Sequence, residues 1–305
     1  LPELKRYGYD MGLATGTVAA AGSLGILIPP SVIFIVYGIL TEQSIGKLFA
    51  AGILPGILLC FLFLLTIHLR VMKNPSLAPP GPKSSIHEKF RSFAGILETL
   101  ILFSLVMGGI FFGLFTPTEA AAIGAFMTLL IAIIRRQLHW KDFIQSLADT
   151  TKISCMIMVI VTGAVIFGHF MAITRIPYIL ADYVSSLPLP PHAIIGVIIF
   201  VYLIGGCFMD ALAMIMLTIP IFFPVVQKLG FDPIWFGVVI VLITEMGVIT
   251  PPVGINVYVV YGVARDVPLE KIFRGVFPML ISLLVCNLLL ILFPQIALWL
   301  PGLMH

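Results

Sequence analysis

The sequence has few charged residues: only 10% of its 305 residues are Asp, Glu, Lys or Arg, whereas 60% are hydrophobic. A soluble globular domain carries about a quarter charged residues, so the composition excludes a soluble multidomain enzyme. The net charge of +3 and the lack of any densely basic stretch exclude a nucleic-acid-binding protein and a polar disordered chain. A mean hydropathy of +1.14 instead indicates a chain that folds in lipid.

Cysteine and catalytic motifs are also scarce. The four cysteines are scattered through apolar runs and form no CxxC pair, which argues against a disulfide framework or a metal cluster: Cys60, Cys155, Cys207 and Cys286. HExxH, GxSxG, P-loop and GxGxxG patterns are all missing. We therefore expect no enzymatic activity and no organic cofactor. Energy for any driven process has to come from an ion gradient or from another subunit.

Long apolar runs are what the sequence does have, and a helix needs about 20 apolar residues to cross a bilayer. They predict an all-α integral membrane protein, with helical segments at about 10–37, 50–72, 92–115, 117–134, 151–172, 192–206, 210–226, 234–261 and 275–300. Residues 138–149 are too charged to span and alternate like an amphipathic helix that lies at the interface. The Pro-rich stretch 73–91 is predicted to be a cytoplasmic linker.

Two of these segments, 192–206 and 210–226, are too short for a full crossing. They flank Gly205, Gly206 and Asp210, and the second segment is interrupted by prolines. A pair of short segments broken by glycine and proline is typical of a re-entrant hairpin in a transporter. The sequence therefore predicts such a hairpin over about 192–226.

Charge placement orients the segments. With the linker in the cytoplasm and the hairpin entering and leaving on one side, fourteen of the seventeen Lys and Arg residues fall inside. Only Lys47, Arg175 and Lys228 fall outside. Because positive residues favour the cytoplasmic side, this count supports the hairpin topology over a single helix that crosses once at 192–226.

The sequence also contains a copy of itself. Residues 25–38 (GILIPPSVIFIVYG) resemble residues 247–262 (GVITPPVGINVYVVYG), and the charge count directs the first copy outward and the second inward. Repeats of opposite orientation are a recurrent plan of secondary transporters. Such a repeat predicts three parts: residues 1–72 are the C-terminal part of a first repeat (broken helix 10–37, span 50–72), 73–91 a linker, and 92–305 a second repeat (hairpin about 192–226, broken helix 234–261).

The same symmetry measures what precedes residue 1. The chain begins without an initiator Met, and equal repeats predict about 130 further residues upstream, including a matching first hairpin.

Each copy carries a Pro-Pro pair. Proline lacks an amide hydrogen and clashes with the carbonyl four residues earlier, so the pairs free the carbonyls of Gly25, Ile26, Gly247 and Val248. A free carbonyl cannot face lipid and has to face protein, water or a cation. The helix half before each break suits a cation, and the half after it offers amides to an anion. Two pairs at matching positions favour a cation–carboxylate symport site over mere kinks.

Four polar residues near the breaks have both a functional and a structural interpretation. Asp210 either ligates a cation or caps the second hairpin arm. Glu245 either carries a proton or bonds to a neighbouring helix. Ser31 and Asn256 flank the breaks and either bind substrate or bond their own backbone.

The ordered motifs GILIPPSVIFIVYG, FAAGILPGIL, FTPTEAAAIGA, GCFMDALAMIMLTIPIFFPV, LGFDPIWFGVV and GVITPPVGIN resemble the large membrane (M) subunit of TRAP, the tripartite ATP-independent periplasmic transporters. The resemblance covers essentially the whole chain. It implies an inverted-repeat fold of the ion-transporter superfamily, with re-entrant hairpins and broken helices. It also implies sodium-coupled uptake of an organic acid, such as a four-carbon dicarboxylate or sialic acid, by an elevator movement.

The resemblance further implies two partners in a bacterial or archaeal cytoplasmic membrane: a small four-helix membrane subunit (Q type) and a periplasmic substrate-binding protein (P type). Carried over to this sequence, sodium is the only metal and is held largely by backbone oxygens in two sites. One site uses Gly25, Ile28 and Pro30 with an upstream hairpin tip, and the other uses Gly206, Gly247, Thr250 and Val253.

Two alternatives remain beside this interpretation. A stand-alone carboxylate symporter of the same superfamily would need no binding protein. A membrane anchor or an intramembrane enzyme belongs to a different class, but the repeated breaks argue against an anchor and the lack of paired catalytic residues argues against an enzyme.

Overall fold

The structure is a computed structural model that describes residues 1–81, 85, 96–136, 138–186 and 188–304. The regular structure of these residues is helical throughout, without a strand. The helices are α1 Pro2–Arg6, α2 Met11–Leu27, α3 Val32–Thr41, α4 Ile45–Lys73, α5 Leu97–Phe111, α6 Pro117–Ile134, α7 Trp140–Thr174, α8 Ile176–Ser186, α9 Pro191–Gly206, α10 Ala211–Lys228, α11 Pro233–Val248, α12 Ile255–Val263, α13 Leu269–Leu292 and α14 Gln295–Leu298, with 3₁₀ turns at Pro75–Leu77 and Pro301–Leu303.

The predicted all-α membrane class is confirmed. Among the described residues, six helical stretches are long and apolar enough to cross a bilayer, counting α2 and α3 together as Met11–Thr41. Large apolar side chains lie on the outside, among them Phe61, Phe112 and Phe200. Exposed apolar surface on this scale is unfavourable in water and is expected where lipid covers it.

The prediction of a separate interfacial helix at 138–149 is wrong. Residues 140–174 form one uninterrupted helix, α7, which joins the charged stretch to the predicted span 151–172. At 1.5 Å per residue α7 is about 50 Å long, more than the hydrocarbon thickness of about 30 Å. Its charged N-terminal part therefore extends beyond the apolar core as a continuation of the span.

The other predicted spans agree with the observed helices to different degrees. The predicted span 117–134 coincides with α6, which starts with a capping box: the Thr116 amide donates to Glu119 at 2.8 Å, and the Glu119 amide donates to the Thr116 hydroxyl at 3.3 Å. The predicted span 275–300 is wrong at both ends, because α13 starts at Leu269 and stops at Leu292 before Pro294. Residues 82–84 and 86–91 of the predicted linker 73–91, and residues 92–95 of the next predicted span, lie outside the described residues.

The chain divides into two compact units, residues 1–81 with 167–305, and residues 82–166. In the second unit α5 packs against α6, and Arg135 pairs with Glu98 at 2.5 Å. Gly109 of α5 leaves room for the ring of Phe115, which lies 2.0 Å from where a Cβ would stand. The first unit draws helices from both predicted repeats, and the repeat boundaries stay a prediction.

Contacts between helix ends show how the helices of the first unit run. Asp10, just before α2, pairs with Lys271 at the start of α13 at 2.9 Å, so both helices begin at one end, here named the Lys271 end. Trp235, at the start of α11, donates its indole N–H to the carbonyl of Leu290, late in α13, at 2.8 Å. α11 therefore begins at the other end, named the Leu290 end, and runs opposite to α2.

Helix α11 lies in the middle of the first unit. It contacts α2, α3, α4, α9, α10 and α13, and its residues from Trp235 to Glu245 are all buried. A helix that is apolar on every side is stable only where every side is covered. This position places the end of α11, with the second Pro-Pro pair, inside the unit.

Candidate functional site

The first predicted break interrupts the rod formed by α2 and α3. Helix α2 ends at Leu27, and the Ile28 amide closes its last turn on the Leu24 carbonyl at 2.8 Å. Ile28 is extended, with φ −81° and ψ 124°, as expected for a residue before proline. The Pro29–Pro30 bond is cis. Because neither proline has an amide hydrogen, the carbonyls four residues earlier lack their helical donors.

Helix α4 supports this break from one side through two glycines. A Cβ on Gly52 would stand 2.4 Å from the Leu27 carbonyl oxygen, and one on Gly56 would stand 2.5 Å from the side chain of Ile28. The backbone of the break therefore rests directly on the backbone of α4. On another side Gly25 is exposed, and none of the described residues comes within 4 Å of a Cβ placed there.

The second predicted break separates α11 from α12. Helix α11 ends at Val248, and α12 begins after Gly254, whose φ of +60° is left-handed. The Pro251–Pro252 bond is also cis. One prediction here is wrong: the Gly247 carbonyl is not left without an amide, because the Thr250 amide donates to it at 2.9 Å. A carbonyl oxygen has two lone pairs, so Gly247 retains one for a further partner.

Helices α9 and α10 form a hairpin whose two outer ends lie together. The ring of His192, at the start of α9, meets Phe231, just after α10, with centroids 5.4 Å apart. Phe231 in turn stacks on Trp235 at the Leu290 end. Between the arms, the Thr218 hydroxyl donates to the Tyr202 hydroxyl at 2.6 Å. The hairpin therefore enters and leaves the unit at the Leu290 end.

Arm length alone is a poor indicator of this hairpin. The second arm, α10, has 18 residues and is long enough to cross a bilayer, so the prediction that both arms are too short is wrong for α10. The paired outer ends show the hairpin instead. That its tip stops inside the membrane stays a prediction.

The hairpin tip and the second break are in direct backbone contact. A Cβ on Gly247 would stand 2.4 Å from the carbonyl carbon of Gly206, and a Cβ on Gly206 would stand 2.9 Å from the carbonyl oxygen of Thr244. No other amino acid fits at either position without moving main chain. The fold therefore brings together Gly206, Gly247 and Thr250, which the family resemblance assigns to one sodium site, and that role stays a prediction.

Two of the polar candidates have the structural role that the sequence allowed. Asp210 caps α10, where its carboxylate accepts the Leu212 amide at 3.0 Å, although its side chain stays exposed and open to a second role. Ser31 is buried and caps α3 by accepting the Phe34 amide at 3.4 Å. Thr250, at the break itself, turns its hydroxyl back to the Met246 carbonyl at 2.6 Å.

Glu245 differs from these residues. It is fully buried in α11, half a turn before Gly247, and neither carboxyl oxygen has a hydrogen-bond partner among the residues that the structure describes. The Ser23 hydroxyl in α2 is likewise buried without a partner in the described part of the chain. An isolated buried carboxylate is strongly unfavourable, so Glu245 requires a proton or a cation.

The two breaks are linked by Asn256 and Gly22. The Asn256 side-chain nitrogen lies 3.0 Å from where a Cβ on Gly22 would stand, so α12 packs onto α2 close to Gly25. On the outer side of the breaks, Pro30 and Val253 are exposed. The predicted site residues therefore lie around two adjoining breaks with an open face.

Sequence reasoning missed Asn287 in α13. It is buried, and both polar atoms of its amide lack a partner within the described ranges. An isolated amide inside an apolar 24-residue helix is a signal that could have identified it, since polar residues in such helices are rare and costly.

The chain matches a family model described as the DctM component of the tripartite ATP-independent periplasmic transporters, over residues 1–296.

Individual relatives agree with that match. The chain is 39% identical, over 97% of its own length and 69% of the relative's, to a C4-dicarboxylate TRAP transporter large permease protein of Pseudomonas aeruginosa. It is 35% identical to a sialic acid TRAP transporter large permease protein of Vibrio cholerae, with the same coverage. It is 34% identical, over 99% of its length and 47% of the relative's, to an isethionate TRAP transporter permease protein of Oleidesulfovibrio alaskensis.

Proposed function

The chain belongs to the DctM family of tripartite ATP-independent periplasmic transporters, and from that premise we propose that it is the transmembrane subunit of a sodium-coupled importer of an organic acid. The backbone contact between Gly206 and Gly247 is the observation that carries the proposal. It joins a hairpin tip to a helix break, where main-chain oxygens replace the water around a sodium ion. Gly206, Gly247, Thr250 and Val253 form one sodium site in this proposal.

The second sodium site lies at the first break, with Gly25, Ile28 and Pro30. Helix α2 ends there, and the partial negative charge of a helix C-terminus attracts a cation. Helices α3 and α12 begin just beyond the breaks, and the amides of a helix N-terminus attract an anion. Sodium and a substrate carboxylate can thus bind at opposite helix ends of the same breaks, so that each ion stabilises the other.

The substrate class follows from chemistry and from the relatives together. The three relatives are named for C4-dicarboxylate, sialic acid and isethionate, which are all organic anions. The proposed site offers helix N-termini to such an anion, and no Arg or Lys stands within the segments 22–32 and 244–257. We therefore assign an organic acid as the substrate, delivered by a periplasmic binding protein. The transmembrane subunit carries it across the inner membrane by an elevator movement, beside a small four-helix subunit.

Reconstitution tests this assignment. Proteoliposomes contain the full-length protein with its small membrane subunit, the binding protein is added outside, and uptake of labelled succinate and sialic acid is measured. Uptake has to require an inward sodium gradient and the binding protein. Uptake that persists without the binding protein identifies a stand-alone symporter, and uptake driven equally by potassium contradicts sodium coupling.

A further inference from the structure

A cavity of about 430 Å³ lies at the Lys271 end of the first unit, where α2 begins, α4 ends and α13 begins. Its lining includes Asp10, Arg70, Glu270, Lys271 and Arg274. Gly12 also lines it and lies 13 residues before Gly25 on α2, a distance of about 20 Å along the helix. The cavity is therefore separate from the proposed sodium sites.

Of the five described charged residues that line the cavity, four form pairs with each other. Lys271 bonds Asp10 at 2.9 Å, and Arg274 bonds Glu270 at 2.6 Å. Within the described part of the chain, these two pairs cancel in charge and leave Arg70 as the surplus cation of the lining.

Arg70 has an unmet hydrogen-bonding requirement. Its Nη1 atom is buried and lacks a partner in the parts of the chain that the structure describes. An arginine side chain does not lose its charge in proteins, so deprotonation cannot relieve this guanidinium. A buried donor without a partner is unfavourable, and more so when it is charged. Arg70 lines the cavity, so an anionic oxygen bound there would lie beside this guanidinium and balance its charge.

We propose that this cavity binds a phosphate group, with Arg70 as the principal ligand and Lys271 and Arg274 as secondary ones. The guanidinium fork matches phosphate oxygens in a bidentate geometry. The cavity volume lies within the usual range for small-ligand sites and admits a phosphate with a short organic substituent.

The position of the cavity indicates where such phosphates occur. The end of α4 and the start of α13 carry the cationic residues that the charge count assigns to the cytoplasmic side. Basic pockets between membrane helices at that side suit the headgroups of anionic phospholipids. A free cytoplasmic phosphate has the same chemistry, and only binding measurements separate the two sources.

The test uses full-length protein purified in detergent and native mass spectrometry with three additives. Phosphatidylglycerol carries a phosphate on a diacylglycerol, diacylglycerol has the same chains without it, and inorganic phosphate has no chains. We expect phosphatidylglycerol to bind, and Arg70→Gln to weaken that binding by about tenfold or more. Equal binding of diacylglycerol contradicts the proposal. Binding of inorganic phosphate as strong as that of the lipid identifies a free phosphate as the ligand.

Matched variants protect this test against a folding defect. Arg265→Gln removes the same charge from an exposed position outside the cavity and should leave binding unchanged. Arg274→Gln changes an exposed residue of the cavity and should weaken binding by a smaller factor. If Arg70→Gln does not fold, Arg274→Gln decides: lipid binding as in the unmodified protein overturns the proposal. Unchanged binding by a folded Arg70→Gln protein overturns it as well.

Discussion

Gly206 and Gly247 touch main chain to main chain, so that a Cβ on Gly247 would lie 2.4 Å from the carbonyl carbon of Gly206 and 2.7 Å from its Cα. One glycine belongs to the tip of the α9–α10 hairpin and the other to the last turn of α11. A contact this close fixes the distance between the two segments whose backbone oxygens we assign to sodium. Any added atom here has to push the tip away from the break.

Gly247→Ala therefore tests the site directly. We expect the variant to insert into the membrane and to lose most sodium-dependent uptake, because a methyl group forces the tip and the break apart. Overpacking of this kind also costs about 1–3 kcal/mol of stability. Uptake in proteoliposomes and the melting temperature in detergent measure the two effects.

Gly196→Ala is the matched control. It makes the same substitution in the first hairpin arm, where no described atom lies within 4 Å of the added Cβ, and alanine is the better helix former. We expect it to transport normally and to be slightly more stable. Normal uptake by Gly247→Ala would contradict the assignment of a sodium site to the contact between Gly206 and Gly247.

The sequence predicted the elements of this site better than their packing. The glycines and Pro-Pro pairs indicate the hairpin tip and both breaks because proline and glycine act locally on the backbone. The contact between Gly206 and Gly247 depends on how distant helices pack, which no local pattern records. The bond from the Thr250 amide to the Gly247 carbonyl is local, since it joins residues three apart, but the prolines by themselves do not predict it.

Helix boundaries show the same division. The capping box at Thr116 and Glu119 is a local feature of the sequence, and the predicted start at residue 117 coincides with the start of α6. The charge of residues 138–149 predicts a separate interfacial helix, because composition indicates where the apolar part of a span ends and not where the helix itself ends. Helix α7 continues through them, since nothing in that stretch breaks a helix.

The capping box gives a second prediction. Thr116→Ala removes the hydroxyl that accepts the Glu119 amide, and the loss of such a cap costs about 1 kcal/mol. Thr118→Ala, an exposed change two residues further on, should cost much less. Melting temperatures of the two variants in the same detergent compare them, and equal values would show that the box adds no stability.

The ion pair at the Lys271 end gives a third prediction, on pH. Burial is the largest single influence on the pKa of Asp10, and it raises that pKa. The hydrogen bonds that Asp10 accepts from Lys271 and from backbone amides lower it, and so does the positive charge of Lys271. Together they outweigh burial, so the pKa lies below its ordinary value of 3.8. A carboxyl group whose pKa is lower in the folded state than in the unfolded state stabilises the fold at any pH above its unfolded-state pKa. This stabilisation disappears as the pH falls through the folded-state pKa.

Asp10→Asn should therefore flatten the acid side of the stability profile. Asparagine keeps a capping oxygen at the start of α2 and removes the charge that pairs with Lys271. Because the Asp10 side chain is 29% exposed and that of Lys271 is 46% exposed, the difference should stay below about 1 kcal/mol. Melting temperatures between pH 7 and pH 3 test this, with Glu3→Gln as a control that removes an exposed carboxylate. A parallel loss of stability in Asp10→Asn and the unmodified protein would contradict the assignment.

The last prediction concerns Glu245, which is buried beside the second break without a partner among the described residues. If its carboxylate held the coupling sodium, Glu245→Gln would abolish the dependence of uptake on sodium, because an amide has no charge to balance the ion. We assign the sodium to backbone oxygens, so we expect Glu245→Gln to fold and to keep sodium-dependent uptake. The sodium concentration that gives half the maximal rate should change by less than about threefold, which corresponds to less than about 0.7 kcal/mol. Glu42→Gln, an exposed change just after α3, controls for charge loss. If a folded Glu245→Gln protein takes up substrate independently of sodium, the ion has to be assigned to this side chain instead of the main chain.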